Sequence, residues 1–394
     1  YHTIRSSSKG KLRHWYFLVP KILDIISLGL INAYKVRSII MPSASLTPGE
    51  LYINRDRDFR TGEWGPYIKI GIVRNERESK ARASEHQTGN PREVVLLNTY
   101  NSPMVDRLET LIHNIYGTRR VSGEWFEMDQ EFVQTVLIPH IDSLISEQEL
   151  DVQNLMVMED YSKLESNGSS KEATQEEVDL YENFSHLSRS KQILSAECEV
   201  IKGNLIKSMG EYGGIAGILE LQQKRNEGSF NQSLFYEKHP EIYSEYIILQ
   251  PEKIGNISGS LRMKGISPLS KIDNELDKNS KDSKNISKEV AFEQVLNDVA
   301  QRNENQKILH ENYLSKRGEL FLIDHKIYCI KADFAKRLGE HESLGELVTW
   351  KRERKITTEK ESFDLASFKL DHPELFEQFK ADAKKSVSLI INKM

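Results

Sequence analysis

Tyr67-Ile68-Lys69-Ile70-Gly71-Ile72-Val73 is the stretch from which the fold can be read. β-Branched residues fill it and turn formers precede it (Gly65-Pro66), which is the composition of a strand. Upstream, Leu51-Tyr52-Ile53 is a second short strand. The polar segment between them, Asn54 to Pro66, holds two glycines and reads as a hairpin loop. Downstream, Arg74 to His86 is charged and rich in Ala and Glu, so it predicts a helix. Gln87-Thr88-Gly89-Asn90-Pro91 stops that helix, because Gly and Asn suit a left-handed cap and Pro cannot continue a helix. Val94 to Tyr100 is a third strand. Ser102-Pro103 opens a further helix, with Val105, Leu108, Leu111, Ile112 and Ile115 on one face and Gly117 at its end. Gly123-Glu124-Trp125-Phe126 is a tight aromatic segment, and a helix from Asp129 to Ser146 closes the unit. The expected fold is α/β (α+β), a small three-stranded antiparallel sheet with flanking helices over residues 44–146.

The chain has 394 residues, 29% of them charged, with a mean hydropathy of −0.54. Its net charge of −5 excludes a generally basic nucleic-acid coat, and residues 41–140 hold 12 Lys/Arg against 14 Asp/Glu. Contact with nucleic acid must therefore use a local basic surface. Cys198 and Cys329 lie far apart without metal-type spacing, which fits a reducing, cytoplasmic setting. Residues 1–43 read as an N-terminal extension. Residues 1–40 are basic, and the first methionine is Met41. The apolar run Trp15 to Tyr34 is interrupted by Pro20, Lys21 and Asp24, so it fits neither a spanning helix nor a signal peptide, and no stable membrane association is expected.

Beyond the first module, residues 147–175 are polar and acidic and read as a linker. Leu180, Phe184, Leu187, Leu194, Cys198, Ile201 and Leu205 then recur at three- and four-residue spacing, a coiled-coil or helical-hairpin pattern. An internal repeat follows. FNQSLFYEKHPEIYSEY at 230–246 aligns without a gap on FDLASFKLDHPELFEQF at 363–379. Two mainly α-helical repeat units are expected, 176–250 and 296–394, joined by a flexible linker at 251–295. His239, Glu241, His372 and Glu374 tempt a second site, but Pro in a first helical turn with Glu beside it is a helix-start signal. The helical region also offers a surface for homo-oligomer formation.

Lys69-Ile70-Gly71, Gln87 to Pro91 and Gly123 to Phe126, in this order and spacing, resemble the GIY-YIG nuclease superfamily, in the branch with a Lys-Ile-Gly second motif and a Gly-Glu-Trp-Phe end. The resemblance covers residues of about 44 to 140. It implies a metal-dependent DNA endonuclease, with Tyr52 from the first motif, Lys69 where many relatives have tyrosine, Arg82 as the family arginine and Glu109 as the ligand of one Mg²⁺ or Mn²⁺. His86, one helical turn after Arg82, falls where some relatives have histidine. These types suit phosphodiester hydrolysis. A phenol with a reference pKa near 10 becomes a base only beside a cation that lowers it, such as Lys69 or a bound metal. Arg82 offers a permanently charged fork for phosphate oxygens, Glu109 a hard oxygen ligand and His86 a proton shuttle.

Each residue also has a plainer role open to it. Tyr52 and Lys69 can be ordinary strand positions, Arg82 a solvated helix residue and Glu109 an ion-pairing one. Arg77 competes with Arg82, His113 reads as helix packing, and Trp125 and Phe126 read as core anchors. The alternative for the whole chain is a catalytically inactive nucleic-acid-binding or scaffold protein.

Overall fold

Strand β1 (Gly49–Arg57) runs through the interior of the N-terminal sheet, paired antiparallel with β2 (Trp64–Arg74) on one side and β3 (Glu93–Ser102) on the other. The computed structural model describes residues 46–74, 79–88, 90–226, 228–293, 295–381 and 384–391. The N-terminal extension, Arg77 and Gly89 lie outside the described residues.

The sheet has five strands rather than three, in the order β3-β1-β2-β5-β4, with β4 at Arg120–Ser122 and β5 at Trp125–Glu127. The two added strands are three residues long, too short to show periodicity. Gly123 turns between them at φ 57°, which brings Phe126 opposite Ile68. Phe126 is fully buried, as expected of an anchor, whereas Trp125 is only partly covered. Alternation along β1 sends Leu51 and Ile53 to one face. There they pack with Ile68, Ile70 and Phe126, with Val105, Leu108 and Ile112 of α2 (Val105–Ile115), and with Leu137 and Ile141. Tyr52 and Asn54 fall on the opposite face, across from Gly71 and Lys69. Helix α1 (Ser79–Gln87) is fastened near that face by the Ser79 hydroxyl, which donates to Glu50 Oε2 at 2.7 Å. Its far end is stapled by Gln87. The Gln87 amide donates to the Asn90 and Arg92 carbonyls at 3.3 and 3.0 Å and accepts from the Val94 N–H at 2.7 Å.

Helix α3 spans Ile138–Ser162, so the segment expected as a linker at 147–175 is helical through its first half. Its buried stripe of Ile141, Leu144, Gln148, Val152 and Leu155 recurs about once per turn. The acidic residues between those positions masked it in the sequence. The segment expected as a flexible linker at 251–295 likewise contains a helix, Asn274–Glu293. Small residues explain its docking. Ser280 and Ser283 are buried, and Ser283 lies so close to Gly203 that a Cβ there would sit 2.6 Å from it.

The long helix expected from the heptad-like spacing at 180–205 forms an antiparallel pair with a second long helix. They are α4 (Gln175–Met209) and α5 (Glu304–Leu338), each opened by a capping box, Thr174 with Glu177 and Asn303 with Gln306. Phe184 near the start of α4 packs with Phe334 and Leu338, while Leu205 and Met209 near its end pack with Tyr313 and Leu314. Glycines at positive φ close both, Gly210 at 64° and Gly339 at 61°.

The two copies of the repeat interleave. The strand before α5 (Val295–Ala300) pairs with the one after α4 (Tyr212–Ile215), and the one before α4 (Ser170–Lys171) pairs with the one after α5 (Ser343–Leu344). At the centre Phe235 and Phe368, equivalent positions of the repeat, stand 4.6 Å apart, ringed by Phe230, Phe363, Phe376 and Phe379. The Asn231 N–H donates to Phe379 O, and its counterpart, the Asp364 N–H, donates to Tyr246 O, both at 2.8 Å. Each His-Pro-Glu starts a helix, at Pro240–Glu245 and Pro373–Gln378. Among the described residues no helix is long and apolar enough to cross a membrane.

Candidate active site

Tyr52 is 1% exposed, and its side chain lies over Gly71, its cross-strand partner. A Cβ at residue 71 would stand 2.5 Å from Tyr52 Oη, 2.7 Å from Cζ and 3.2 Å from a Glu124 carboxylate oxygen. Glycine at this position is what lets the phenol and the Glu124 carboxylate share the face of the sheet. Gly71→Ala is therefore expected to push the phenol aside, lowering any site activity by about 100-fold, the usual cost of an ångström-scale misplacement. Parallel activity and melting measurements would separate this from unfolding, and full activity in the variant would exclude the close approach.

Four of the five residues singled out in the sequence meet around that phenol. His86 Nε2 is 3.5 Å from Tyr52 Oη. The Arg82 guanidinium lies beside the same hydroxyl and is paired with Glu85 at 2.6 Å. Lys69, on the same face, is paired with Glu124 at 3.0 Å. Glu109, from α2, is near enough for its charge to act on Tyr52. His113, by contrast, is a packing residue. Its Nε2 meets Ile70 O at 2.9 Å and its ring lies against Phe126.

The electrostatics depart from one expectation. A cation was to lower the Tyr52 pKa, but burial and the negative charge of Glu124 push it up to about 12, with Arg82 pulling the other way. Lys69 does not rescue it, because Glu124 already neutralises its ammonium. Glu124, read in the sequence only as part of a motif, is thus a member of the site. Its place depends on β5 pairing beside β2, where the Ile70 N–H donates to Glu124 O at 3.0 Å, and local spacing carries no sign of that pairing.

Glu109 is pushed up to about 7 by burial, then by Glu124 and Asp106, with Arg74 and Arg120 opposing. It makes no hydrogen bond or ion pair among the described residues. A partly buried carboxylate crowded by two other acids has an excess of negative charge, which is what a hard divalent cation would offset. The residues therefore fit such a cation, with Glu109 as first ligand and Glu124 as the neighbouring oxygen source. His86 is held below its usual pKa, by burial first and then by Lys69 and Arg82, and so is neutral. Its Nδ1 is buried without a hydrogen-bond partner among the described residues, as are both polar atoms of the Asn54 amide, which faces Lys69 across the strands. Asn54 gave no sign in the sequence, where it read as the first residue of a loop.

Residues 51–138 match the family model of the T5orf172 domain. That family is associated with nuclease-type domains, and the match spans β1 to the start of α3, the segment that builds the face just described. No curated protein and no solved structure matches the chain.

Proposed function

We propose that this chain is a metal-dependent DNA endonuclease that hydrolyses phosphodiester bonds at the Tyr52 face by a GIY-YIG-type mechanism. One observation carries the reading: Tyr52, Arg82, His86 and Glu109 converge from three separate elements on one spot, where an under-neutralised carboxylate faces a phenol. The T5orf172 match supports it from an independent direction.

Each side chain has a definite task. Glu109 would hold one Mg²⁺ or Mn²⁺, which would supply polarisation of the scissile phosphate and offset its charge. The Arg82 fork takes phosphate oxygens; to do so it exchanges its exposed partner Glu85, a trade that costs little in high dielectric. Tyr52 is held protonated in the absence of substrate, with its pKa raised to about 12. To serve as base its Oη must first give up a proton, and His86 Nε2, neutral and 3.5 Å away, is placed to take it. Lys69 positions Glu124 through their ion pair and so sets how much negative charge Tyr52 feels. The interleaved repeats are left to select or position the DNA.

The test is nicking of supercoiled plasmid by the purified full chain. Cleavage should require Mg²⁺ or Mn²⁺, and Tyr52→Phe should lower its rate by about 100-fold or more, the range for loss of a positioned general base. Equal nicking by wild type and Tyr52→Phe would sink the assignment. Binding of DNA with no cleavage under any metal would instead favour the inactive, DNA-binding alternative.

A further inference from the structure

Asp151, His325 and Cys329 bring an oxygen, a nitrogen and a sulfur ligand atom within 4.8 Å of one another. They come from two helices. His325 and Cys329 are one turn apart on α5, so both face α3, and Asp151 on α3 faces back. Glu147, one turn before Asp151, lines the same cavity of about 330 Å³, together with Asn183. His325 is 3% exposed and Cys329 8%, while Glu147 is exposed to solvent.

We propose that Asp151, His325 and Cys329 form a second metal site, for Zn²⁺ or a cation of like chemistry, that clamps α5 to α3. The donor set decides the metal. Thiolate, imidazole and carboxylate together are borderline-soft ligands of the zinc type and do not suit the hard cation of the Glu109 site. Bonds of about 2.0–2.3 Å in a tetrahedral shell space their donors by about 3.3–3.8 Å. The present donors thus need to draw in by about 1 Å, within reach of side-chain rotation. Glu147 or a water completes four-coordination. On binding, the Cys329 S–H bond breaks, its proton leaves to solvent, and a sulfur–metal bond forms without change of oxidation state.

One further residue makes the site conditional. Arg107 of α2 places Nη1 3.3 Å from His325 Nδ1 and its guanidinium 4.0 Å over the Tyr328 ring. A guanidinium only donates, so it occupies the Nδ1 lone pair and leaves the ring proton on Nε2. A metal on His325 must displace that contact. Arg107 and the cation are therefore alternatives, and Arg107 sits two residues from Glu109 on the same helix.

Co²⁺ is the probe, as a spectroscopic stand-in for Zn²⁺, with the reduced full chain. Wild type should bind one Co²⁺ with a thiolate-to-cobalt charge-transfer band in the near ultraviolet, discharged by added Zn²⁺. Cys329→Ser and His325→Ala should lose the band, while Cys198→Ser and Glu109→Gln keep it. Arg107→Met should tighten Co²⁺ binding about tenfold by removing the competing cation. The helix content of each variant, from circular dichroism, shows whether it has folded, and Cys198→Ser controls for loss of a buried thiol alone. No band in wild type, or an undiminished band in Cys329→Ser, overturns the site; unchanged affinity in Arg107→Met overturns the exchange. Because the readout is a thiolate band, failure of the nuclease assignment leaves this test intact.

Discussion

Glu109→Gln should abolish cleavage and at the same time make the metal-free protein more stable. The first effect follows from loss of the carboxylate that would hold the cation. Metal assistance is worth several kcal/mol of barrier, so the rate should fall on the order of 10³-fold. The second follows from the raised pKa. Glu109 ionises at about 7 in the folded chain against a reference of 4.5. The unfolded chain thus gives up its proton first, and stability falls as pH rises from 4.5 to about 7, staying low above that. Discounted for the part of the side chain that water still screens, the penalty above pH 7 is about 1–2 kcal/mol. Gln carries no such charge and removes it. Urea unfolding at pH 8 without metal should therefore place Glu109→Gln above wild type, and the two should converge near pH 4. Wild-type cleavage should rise with pH through about 7, since the cation needs the ionised carboxylate. A variant less stable than wild type at pH 8 would mean that Glu109 is an ordinary ion-pairing residue.

Phe368→Ala should cost about 3–5 kcal/mol, the range for deleting a fully buried phenylalanine. Phe368 is 0% exposed and contacts Phe235, Phe230, Phe363 and Tyr246 within ring-packing distance. Phe235→Ala, its equivalent in the other copy, should cost a similar amount. The double variant should fall short of the sum, because both truncations open the same cavity. Denaturant unfolding followed by far-ultraviolet circular dichroism reads all three. Costs below about 1 kcal/mol, or strict additivity, would show that the two copies do not share one core.

What the sequence discloses depends on how local each cause is. Tyr52, Lys69, Arg82, His86 and Glu109 could be singled out because the resemblance to GIY-YIG nucleases carries its site positions onto them, and the structure brings them to one face. The reason for Gly71 could not be read there, since it lies in the Tyr52 ring crossing from the neighbouring strand. Glu124 was missed as a charge for the same cause, and with it the upward shift of Tyr52. Asn54 looked like a loop residue because the strand's buried side continues beyond Ile53 into Asn54, Arg55 and Asp56, polar types that break the expected pattern. Helix α3 was hidden by acidic residues between its buried positions. The interleaving of the repeat depends on pairings between distant segments, which alignment of the two copies cannot reveal. The same distance separates Asp151 from His325 and Cys329.

The packing of α5 on α2 sets a schedule for synthesis. Gly318 lies against the α2 backbone so closely that a Cβ there would meet Asn114 O at 2.7 Å, and Leu314 covers Gly117. The ribosome makes α2 some two hundred residues before the helix that shields its outer side. Until α5 emerges, the helix carrying Glu109 has its sheet-facing side covered and its back bare. A nascent chain of this protein therefore covers both sides of the helix carrying Glu109 only late in its translation, with the second copy of the repeat still to be made.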